Sequence, residues 1–287
     1  MDMKTMIRGR LLTQLLAVLC TTGCAQSTDD LIKDLRSESI QARLHAGARL
    51  ISKKEPGITM KLVEQLDKGD DRLVFIVVQI LGSRADTSSV EPLGRVSKSA
   101  NPYIRARALQ SIGNIGHKSG LPFLVEGLAD SVAMVRYSAV TAIGNLPYPP
   151  AAAHIYPMLR DKVDSVRTAA IRSLYNFRMI PGSRVLAADL AIAVNDLRPV
   201  VRFVAVQALG GGFPDTVVAG DLLMEALRDE NEDVRIEAIN SIKNIRYGKA
   251  VPALKRMFDT ASVDEEYSIS EAIRTITGEP YPPDATK

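Results

Sequence analysis

The sequence predicts an all-α protein, an α-solenoid of about eight helix-turn-helix repeats. A short pattern recurs along the chain at intervals of 31 to 35 residues, a period typical of helical repeat arrays. Inside each copy the apolar residues follow the 3.6-residue period of a helix. Aromatic residues make up only 5% of the 287 residues and Trp is absent, so Ala, Leu, Val and Ile must build the core. A composition of 46% hydrophobic and 24% charged residues excludes disorder over most of the length.

The copies align on one anchor position, which is Arg in all but one of them. A degraded eighth copy is centred on Ile269 and runs to Gly278. The interval of 35 residues contains an additional loop at 179–183, where we expect a local change of curvature. The anchors, spaced by 31, 31, 31, 31, 35 and 33 residues, are Arg43, Val74, Arg105, Arg136, Arg167, Arg202 and Arg235.

The positions around each anchor predict a helix that is buried along one face. Position +3 is Ala in six of the seven copies, and positions −1, +4 and +7 are apolar. A small residue at +3 indicates close contact with a neighbouring helix, where a larger side chain would cost about 1–3 kcal/mol. A second apolar segment precedes each such helix, and Pro122 and Pro252 lie where a helix start tolerates proline. Glycine at +8 is typical of helix C-terminal ends and is found at Gly82, Gly113, Gly144 and Gly210.

The shared pattern D-x-x-x-x-[VI]-R-x-x-A-[VIL]-x-x-[IL]-G resembles the HEAT repeat family, particularly the short HEAT-like repeats of the phycobilisome lyase type. The resemblance covers about residues 28–278. It implies that the aspartate and arginine of the pattern define the fold rather than a binding site. The four clearest pairs are Asp130 with Arg136, Asp161 with Arg167, Asp196 with Arg202, and Asp229 with Arg235.

The six-residue spacing of these pairs leaves two interpretations. The favoured one is that each aspartate and the arginine that follows it bond to each other and to neighbouring backbone. The alternative is that the row of arginines forms an anion-binding stripe.

The N-terminus has the layout of a secretory signal peptide. Lys4, Arg8 and Arg10 precede a short apolar segment at 11–20, which is too short to span a membrane. Small residues follow, and the chain has no twin-arginine pair. We therefore expect export by the general secretion route, with a signal segment at 1–25, the repeat domain at 26–278 and a disordered tail at 279–287.

Cys24 is the predicted lipidation site. The Gly23-Cys24 junction resembles the end of a bacterial lipoprotein signal, although Thr21 stands where that family usually has Leu. Cys20 and Cys24 are the two cysteines of the chain, so a disulfide in the repeat domain is excluded. Cleavage after Ala25, giving a soluble protein, and an uncleaved anchor are the alternatives. The resemblance to Gram-negative lipoproteins implies a cell-envelope location on the periplasmic side of the outer membrane.

Charge and motifs oppose nucleic-acid binding and catalysis. Outside the first 23 residues the chain has 33 basic and 32 acidic residues, a net charge of +1, whereas nucleic-acid binders carry a basic surface. His45, His117 and His154 lie in different copies without metal-ligand spacing. No catalytic motif or phosphate-binding glycine loop is present. The sequence therefore predicts no cofactor, no metal site and no catalytic residue.

The predicted partner-binding surface is the inner face of the solenoid, lined by one helix of each repeat. Amides and isolated aromatics at positions +5 and +1 suit the recognition of a protein or peptide. The alternative is that the aromatics pack between repeats and the amides face water. The candidate residues are Phe75, Gln79, Gln110, Tyr137, Thr141, Arg172, Phe203 and Gln207.

Three functions remain open on this sequence. The first is a non-enzymatic scaffold of the bacterial cell envelope that binds a protein or peptide and is held at the membrane by lipid. The second is a HEAT-like lyase or chaperone-type protein that resembles the phycobilin lyases, which the export signal opposes. The third is a HEAT-like DNA glycosylase, which the net charge and the export signal oppose.

Overall fold

The computed structural model describes residues 26–282. The predicted signal segment with Cys24 and the last residues, 283–287, lie outside the described part. Two compact units divide the chain, Met1–Ile80 and Leu81–Lys287. Between residues 26 and 282 the regular elements are α-helices and 3-10 helices, and none is a β-strand. None of these helices combines the length and the apolar character that crossing a membrane requires.

Eight helical pairs fill the described residues. Six short 3-10 helices begin or replace the first helix of several pairs; they are Thr87–Ser89, Lys118–Gly120, Pro149–His154, Tyr156–Arg160, Ala187–Leu190 and Gly248–Ala250. The α-helices are α1 (Thr28–Asp34), α2 (Ile40–Ser52), α3 (Ile58–Val63), α4 (Asp71–Arg84), α5 (Val90–Val96), α6 (Pro102–Ile115), α7 (Leu121–Gly127), α8 (Ala133–Gly144), α9 (Asp164–Phe177), α10 (Ala191–Val194), α11 (Pro199–Gly210), α12 (Thr216–Ala226), α13 (Glu232–Asn244), α14 (Val251–Phe258) and α15 (Val263–Thr277).

The second helix of each of the first seven pairs carries the anchor residue, the eighth contains Ile269 of the degraded copy, and the predicted all-α repeat fold is confirmed. The second helices are α2, α4, α6, α8, α9, α11, α13 and α15. Within the unit Leu81–Lys287 successive second helices pack on one another from α6 to α15. The fifth pair departs from the pattern, because two 3-10 helices stand in place of its first α-helix. These 3-10 helices contain Pro149, Pro150 and Pro157.

The apolar stripe of the second helices is buried as predicted. Position +3 is fully buried in every copy from Ala108 to Ala238, and positions +4 and +7 are at most 1% exposed there. Side chains of Asn101, Asn231 and Ser262 cap the N-termini of α6, α13 and α15 by accepting a backbone N–H. Such caps stabilise a helix by about 1 kcal/mol.

The glycines at +8 serve close packing rather than helix termination, which corrects the interpretation from sequence. Gly82, Gly113, Gly144 and Gly210 lie inside or at the last residue of their helices, and none has a positive φ. A Cβ added to any of them would lie 2.6–2.7 Å from the Cβ of Ser or Ala at position +6 of the next second helix. No larger residue fits that contact without separating the helices.

Charged side chains connect consecutive repeats in the unit Leu81–Lys287. Four of the five anchor arginines each donate two hydrogen bonds of 2.6–3.0 Å to the aspartate of the following repeat. The fifth arginine, Arg235, donates to Glu265 at 2.6 Å. The bidentate pairs are Arg105–Asp130, Arg136–Asp161, Arg167–Asp196 and Arg202–Asp229.

This arrangement corrects the predicted bond between an aspartate and the arginine six residues later. Arg136 meets only the backbone of Asp130, because its Nη1 donates to the Asp130 carbonyl oxygen at 2.9 Å, while its Nε and Nη2 bind Asp161. Arg167, Arg202 and Arg235 repeat this contact with Asp161, Asp196 and Asp229. The arginines are therefore occupied within the fold and do not form an anion-binding stripe.

Pairing also shifts the titration of the carboxyl groups. Hydrogen bonds from Arg105 lower the pKa of Asp130 below its usual value of 3.8. Burial by itself raises the pKa of Asp161, but the hydrogen bonds from Arg136 and from the Val163 N–H outweigh it and the net shift is downward. The same balance lowers the pKa of Asp229 and of Glu265.

The segment after α15 is held to the last pair as far as it is described. The Tyr281 ring packs edge-on against Phe258 with centroids 5.2 Å apart, and Lys255 Nζ lies 5.3 Å from the Tyr281 centroid. The prediction of a disordered tail at 279–287 did not include this contact of Tyr281, and residues 283–287 lie outside the described part.

We predict that Asp161→Asn lowers the free energy of unfolding by about 1.5–3 kcal/mol at pH 7, because it removes the charge from a nearly buried pair. A carboxyl whose pKa is lowered by folding stabilises the fold above its unfolded pKa, and the contribution is lost as the pH falls through the folded pKa. The difference between wild type and variant should therefore shrink as urea titrations are repeated from pH 7 down to pH 3.

The matched control is Asp164→Asn, whose carboxylate lies 3.7 Å from Arg198 in a pair open to solvent. Its effect should stay within about 0.5 kcal/mol at every pH. An Asp161→Asn effect that is as small as the control, or that does not change with pH, would contradict the assigned role of the pair.

Candidate functional site

The second helices of the unit Leu81–Lys287 have one face that no first helix covers. At 100° per residue, positions −2, +1, +5 and +9 fall within about 80° of one another on the helix. We call this surface the second-helix face. It consists of Tyr103, Met134, Ser165, Val200 and Asp233 at −2, Ala106, Tyr137, Thr168, Phe203 and Ile236 at +1, Gln110, Thr141, Arg172, Gln207 and Asn240 at +5, and Asn114, Asn145, Asn176, Gly211 and Asn244 at +9.

In three of the five repeats, apolar side chains occupy the part of this face near the helix N-termini; Ser165 and Asp233 occupy it in the other two. Tyr103 is 65% exposed, Val200 51%, Tyr137 43% and Met134 37%. Side chains of this kind are usually buried, and a cluster of them at the surface indicates a place where another molecule is bound. The row at −2 was not selected from the sequence, although its spacing follows the same anchors.

Amides and hydroxyls occupy the part nearer the helix C-termini. Gln110 donates from Nε2 to Ser138 Oγ at 3.3 Å, so it connects two neighbouring second helices. Thr141 donates to the Tyr137 carbonyl oxygen of its own helix at 2.9 Å. Because one end of the face is apolar and the other polar, it can contact both kinds of group along a partner chain.

The structure brings Arg172 and Gln207 together. Both line a cavity of about 220 Å³ between α9 and α11, together with Tyr175, Val204 and Ala208. Phe203 is half-buried on the same helix as Gln207. The sequence reasoning missed Tyr175, although its place at +8, where four other copies have glycine, was a readable signal.

Two of the eight predicted binding residues belong to the other compact unit. Phe75 is half-buried and Gln79 is exposed, both on α4 within Met1–Ile80. The remaining six lie on α6, α8, α9 and α11 of the unit Leu81–Lys287.

Two further cavities lie elsewhere in the unit Leu81–Lys287. One of about 440 Å³ is lined by the 3-10 segments of the fifth pair and the loop after α9, including Pro149, Tyr156 and Val185. Burial, and then the nearby charge of Asp189, raises the pKa of Tyr156 to about 12. The other, of about 350 Å³, surrounds the Arg202–Asp229 pair. Between residues 26 and 282 no group of three or more His, Cys, Asp or Glu side chains is placed to hold a metal ion.

Comparison with known proteins identifies the repeat. The HEAT repeat family matches residues 90–175 and 187–274, together more than half of the chain. No curated protein sequence matches the chain.

Two solved structures with TM-scores above 0.5 agree with the repeat fold, and a third match is weaker. YIBA of Escherichia coli is 17% identical with a TM-score of 0.60, over 88% of this chain and 92% of that one. An engineered protein is 18% identical with a TM-score of 0.53, over 86% and 77%. The complex of CpcE and CpcF of phycocyanin lyase from Nostoc sp. is 18% identical with a TM-score of 0.45, over 88% and 96%. At these identities the likeness concerns the fold alone.

Proposed function

Because the chain belongs to the HEAT repeat family, we propose that it is a non-enzymatic scaffold that binds a protein or peptide partner along the second-helix face. The observation that carries this proposal is the exposure of Tyr103, Met134, Tyr137 and Val200 on a layer of consecutively packed helices. Exposed aromatics beside polar side chains are the residues that dominate binding energy in protein interfaces.

The geometry supports a partner that extends over several repeats. The exposed apolar residues lie on α6, α8 and α11, and the amides lie on or at the ends of these helices and on α9 and α13. A repeat contacts only its neighbours, so the face offers equivalent positions at each step rather than one deep pocket. An extended polypeptide, which repeats its own groups along its length, matches such a surface.

Most of the groups discussed below, whose pKa values are shifted, take part in contacts within the fold, as expected for a scaffold. The lowered carboxyl pKa values belong to the arginine pairs between repeats. Tyr247 donates from its hydroxyl to Asp221, and this bond contributes most to raising the pKa of Tyr247 to about 12. Burial raises the pKa of Glu237, and a side-chain hydrogen bond with Ser241 opposes that shift in part.

We predict that a photo-crosslinking amino acid at Gln110, Thr141 or Gln207 of the full chain captures one and the same partner band in cells. Insertion at Glu225 of α12 or Arg256 of α14, which are exposed on first helices, is the matched control and should capture no such band. Tyr137→Ala should reduce capture from Gln110 by about tenfold, the effect of a moderate hot spot, without lowering the melting temperature.

Equal capture from the first-helix positions would reject the assigned face. If Tyr137→Ala lowers the melting temperature and leaves capture unchanged, Tyr137 is a packing residue and the proposal loses its main support.

We also propose that the scaffold is exported and held at the bacterial membrane by lipid on Cys24. The positive residues, the short apolar segment and the Gly23-Cys24 junction support this location. A palmitate analogue should label the wild-type protein, and Cys24→Ala should abolish the label. An unlabelled wild-type protein that begins at Gln26 would show that cleavage after Ala25 releases it instead.

A further inference from the structure

The row of glycines at position +8 is interrupted in the fifth repeat. In four other repeats this glycine touches the small residue at +6 of the next second helix. The fifth repeat has Tyr175 at +8, and the next second helix has Ala208 at +6. A phenol ring cannot fit the space that a hydrogen atom occupies in the other repeats.

The interruption coincides with the cavity between α9 and α11. Tyr175 and Ala208, which would form the close contact, both line the 220 Å³ cavity instead. Val204 adds a further apolar wall, and Arg172 and Gln207 supply the polar groups. The cavity therefore lies where Tyr175 replaces glycine, at the only interface of the face where the interval between anchors is 35 residues; the seventh repeat also lacks glycine at +8, where it has Lys243.

Contacts on several sides hold the Tyr175 ring in place. The guanidinium carbon of Arg178 lies 3.8 Å from the ring centroid, and Arg178 Nη2 donates to the Gly211 carbonyl oxygen at 2.8 Å. Phe213 meets the ring edge-on at 6.3 Å between centroids. Gly211 lies so close to the ring that a Cβ there would overlap it. The wall of the cavity is thus fixed before any ligand arrives.

The polar groups of the cavity are available to a ligand. Arg172 and Gln207 are exposed, and within the described residues neither forms a hydrogen bond or an ion pair. This distinguishes Arg172 from the anchor arginines, which aspartates occupy. No acidic side chain lines the cavity, and the Arg178 guanidinium on the Tyr175 ring adds a second positive charge nearby.

These features select the chemistry of the occupant. A guanidinium binds a carboxylate through two parallel hydrogen bonds, while Tyr175 and Val204 offer apolar surface to the methylene groups beside it. Pockets for whole small molecules usually measure about 300–1,000 Å³. A cavity of 220 Å³ suits one side chain better than a complete cofactor.

We propose that this cavity is the specificity pocket of the second-helix face and receives one acidic side chain of the partner polypeptide. Arg172 binds the carboxylate, Tyr175 and Val204 contact its methylene stem, and the Gln207 amide bonds to the adjacent peptide group. The proposal rests on the proposed function, because it assumes that a polypeptide lies along this face.

The test is a selection of random dodecapeptides displayed on phage against the full chain immobilised through a C-terminal tag. Selected peptides should share one Asp or Glu position. Arg172→Gln should weaken the binding of the best synthetic peptide about tenfold, the effect expected for a hot-spot charge. A version of that peptide in which glutamine replaces the shared glutamate should bind the wild-type protein and Arg172→Gln with affinities that differ by less than about twofold. Ala208→Leu, which fills the cavity and keeps Arg172, should weaken the acidic peptide to a similar extent. Arg256→Gln removes an exposed arginine of a first helix and should have no effect.

Other outcomes distinguish a failure of the proposed pocket from a failure of the proposed binding face. Peptides that depend on Tyr137 and Gln110 but share no acidic position, or that Arg172→Gln and Ala208→Leu leave unchanged, overturn the pocket and keep the face. Peptides insensitive to Tyr137→Ala, Gln110→Ala, Arg172→Gln and Ala208→Leu, or no enrichment at all, overturn both. Melting curves of each variant confirm that the compared proteins are folded.

Discussion

The hydrogen-bonded arginine–carboxylate pair between consecutive repeats is the interaction on which the packing of the unit Leu81–Lys287 depends. Each aspartate accepts two hydrogen bonds from the preceding repeat and a backbone N–H two residues further on, as Asp130, Asp161, Asp196 and Asp229 all do. The same arginine also donates to the carbonyl oxygen of the residue six positions earlier, in the turn that precedes its own helix. One pair therefore fixes the turn of one repeat to the second helix of the one before it. Burying such a pair costs desolvation energy, so its main effect is to select one register between repeats.

Small residues allow the second helices to pack closely in the register that the arginine–carboxylate pairs select. With the register fixed, alanine at +3 and glycine at +8 let the second helices approach closely, and their uncovered positions form a continuous surface. The candidate function depends on that surface, because equivalent side chains recur on it at each repeat. Where Tyr175 replaces glycine, α9 and α11 do not make this close contact, and a cavity lies between them. A departure from the packing rule thus produces a recess on this face that presents the Arg172 guanidinium, which no carboxylate of the described residues binds.

Much of this architecture could be read from the sequence, and the failures have identifiable causes. The number of helical pairs and the buried stripe at +3, +4 and +7 follow from periodicity alone. The partner of each arginine could not be read in this way, because every aspartate has two candidate arginines, one six residues after it and one 25 to 29 residues before it in the preceding repeat. Only the direction of the side chain distinguishes them. The role of Gly113 was misjudged because the contact with Ala142 lies in the next repeat, and the cavity was missed because Tyr175 acts through a helix that is distant in sequence.

The central claim is that Arg136 bonds to the carboxylate of the next repeat and not to that of its own, and paired double-mutant cycles test it most directly. Arg136→Ala is combined once with Asp161→Ala and once with Asp130→Ala, and the free energy of unfolding is measured for all the variants at pH 7. The account predicts a coupling energy of about 1–3 kcal/mol for Arg136 with Asp161 and of less than about 0.5 kcal/mol for Arg136 with Asp130. A coupling to Asp130 that equals or exceeds the coupling to Asp161 would contradict it.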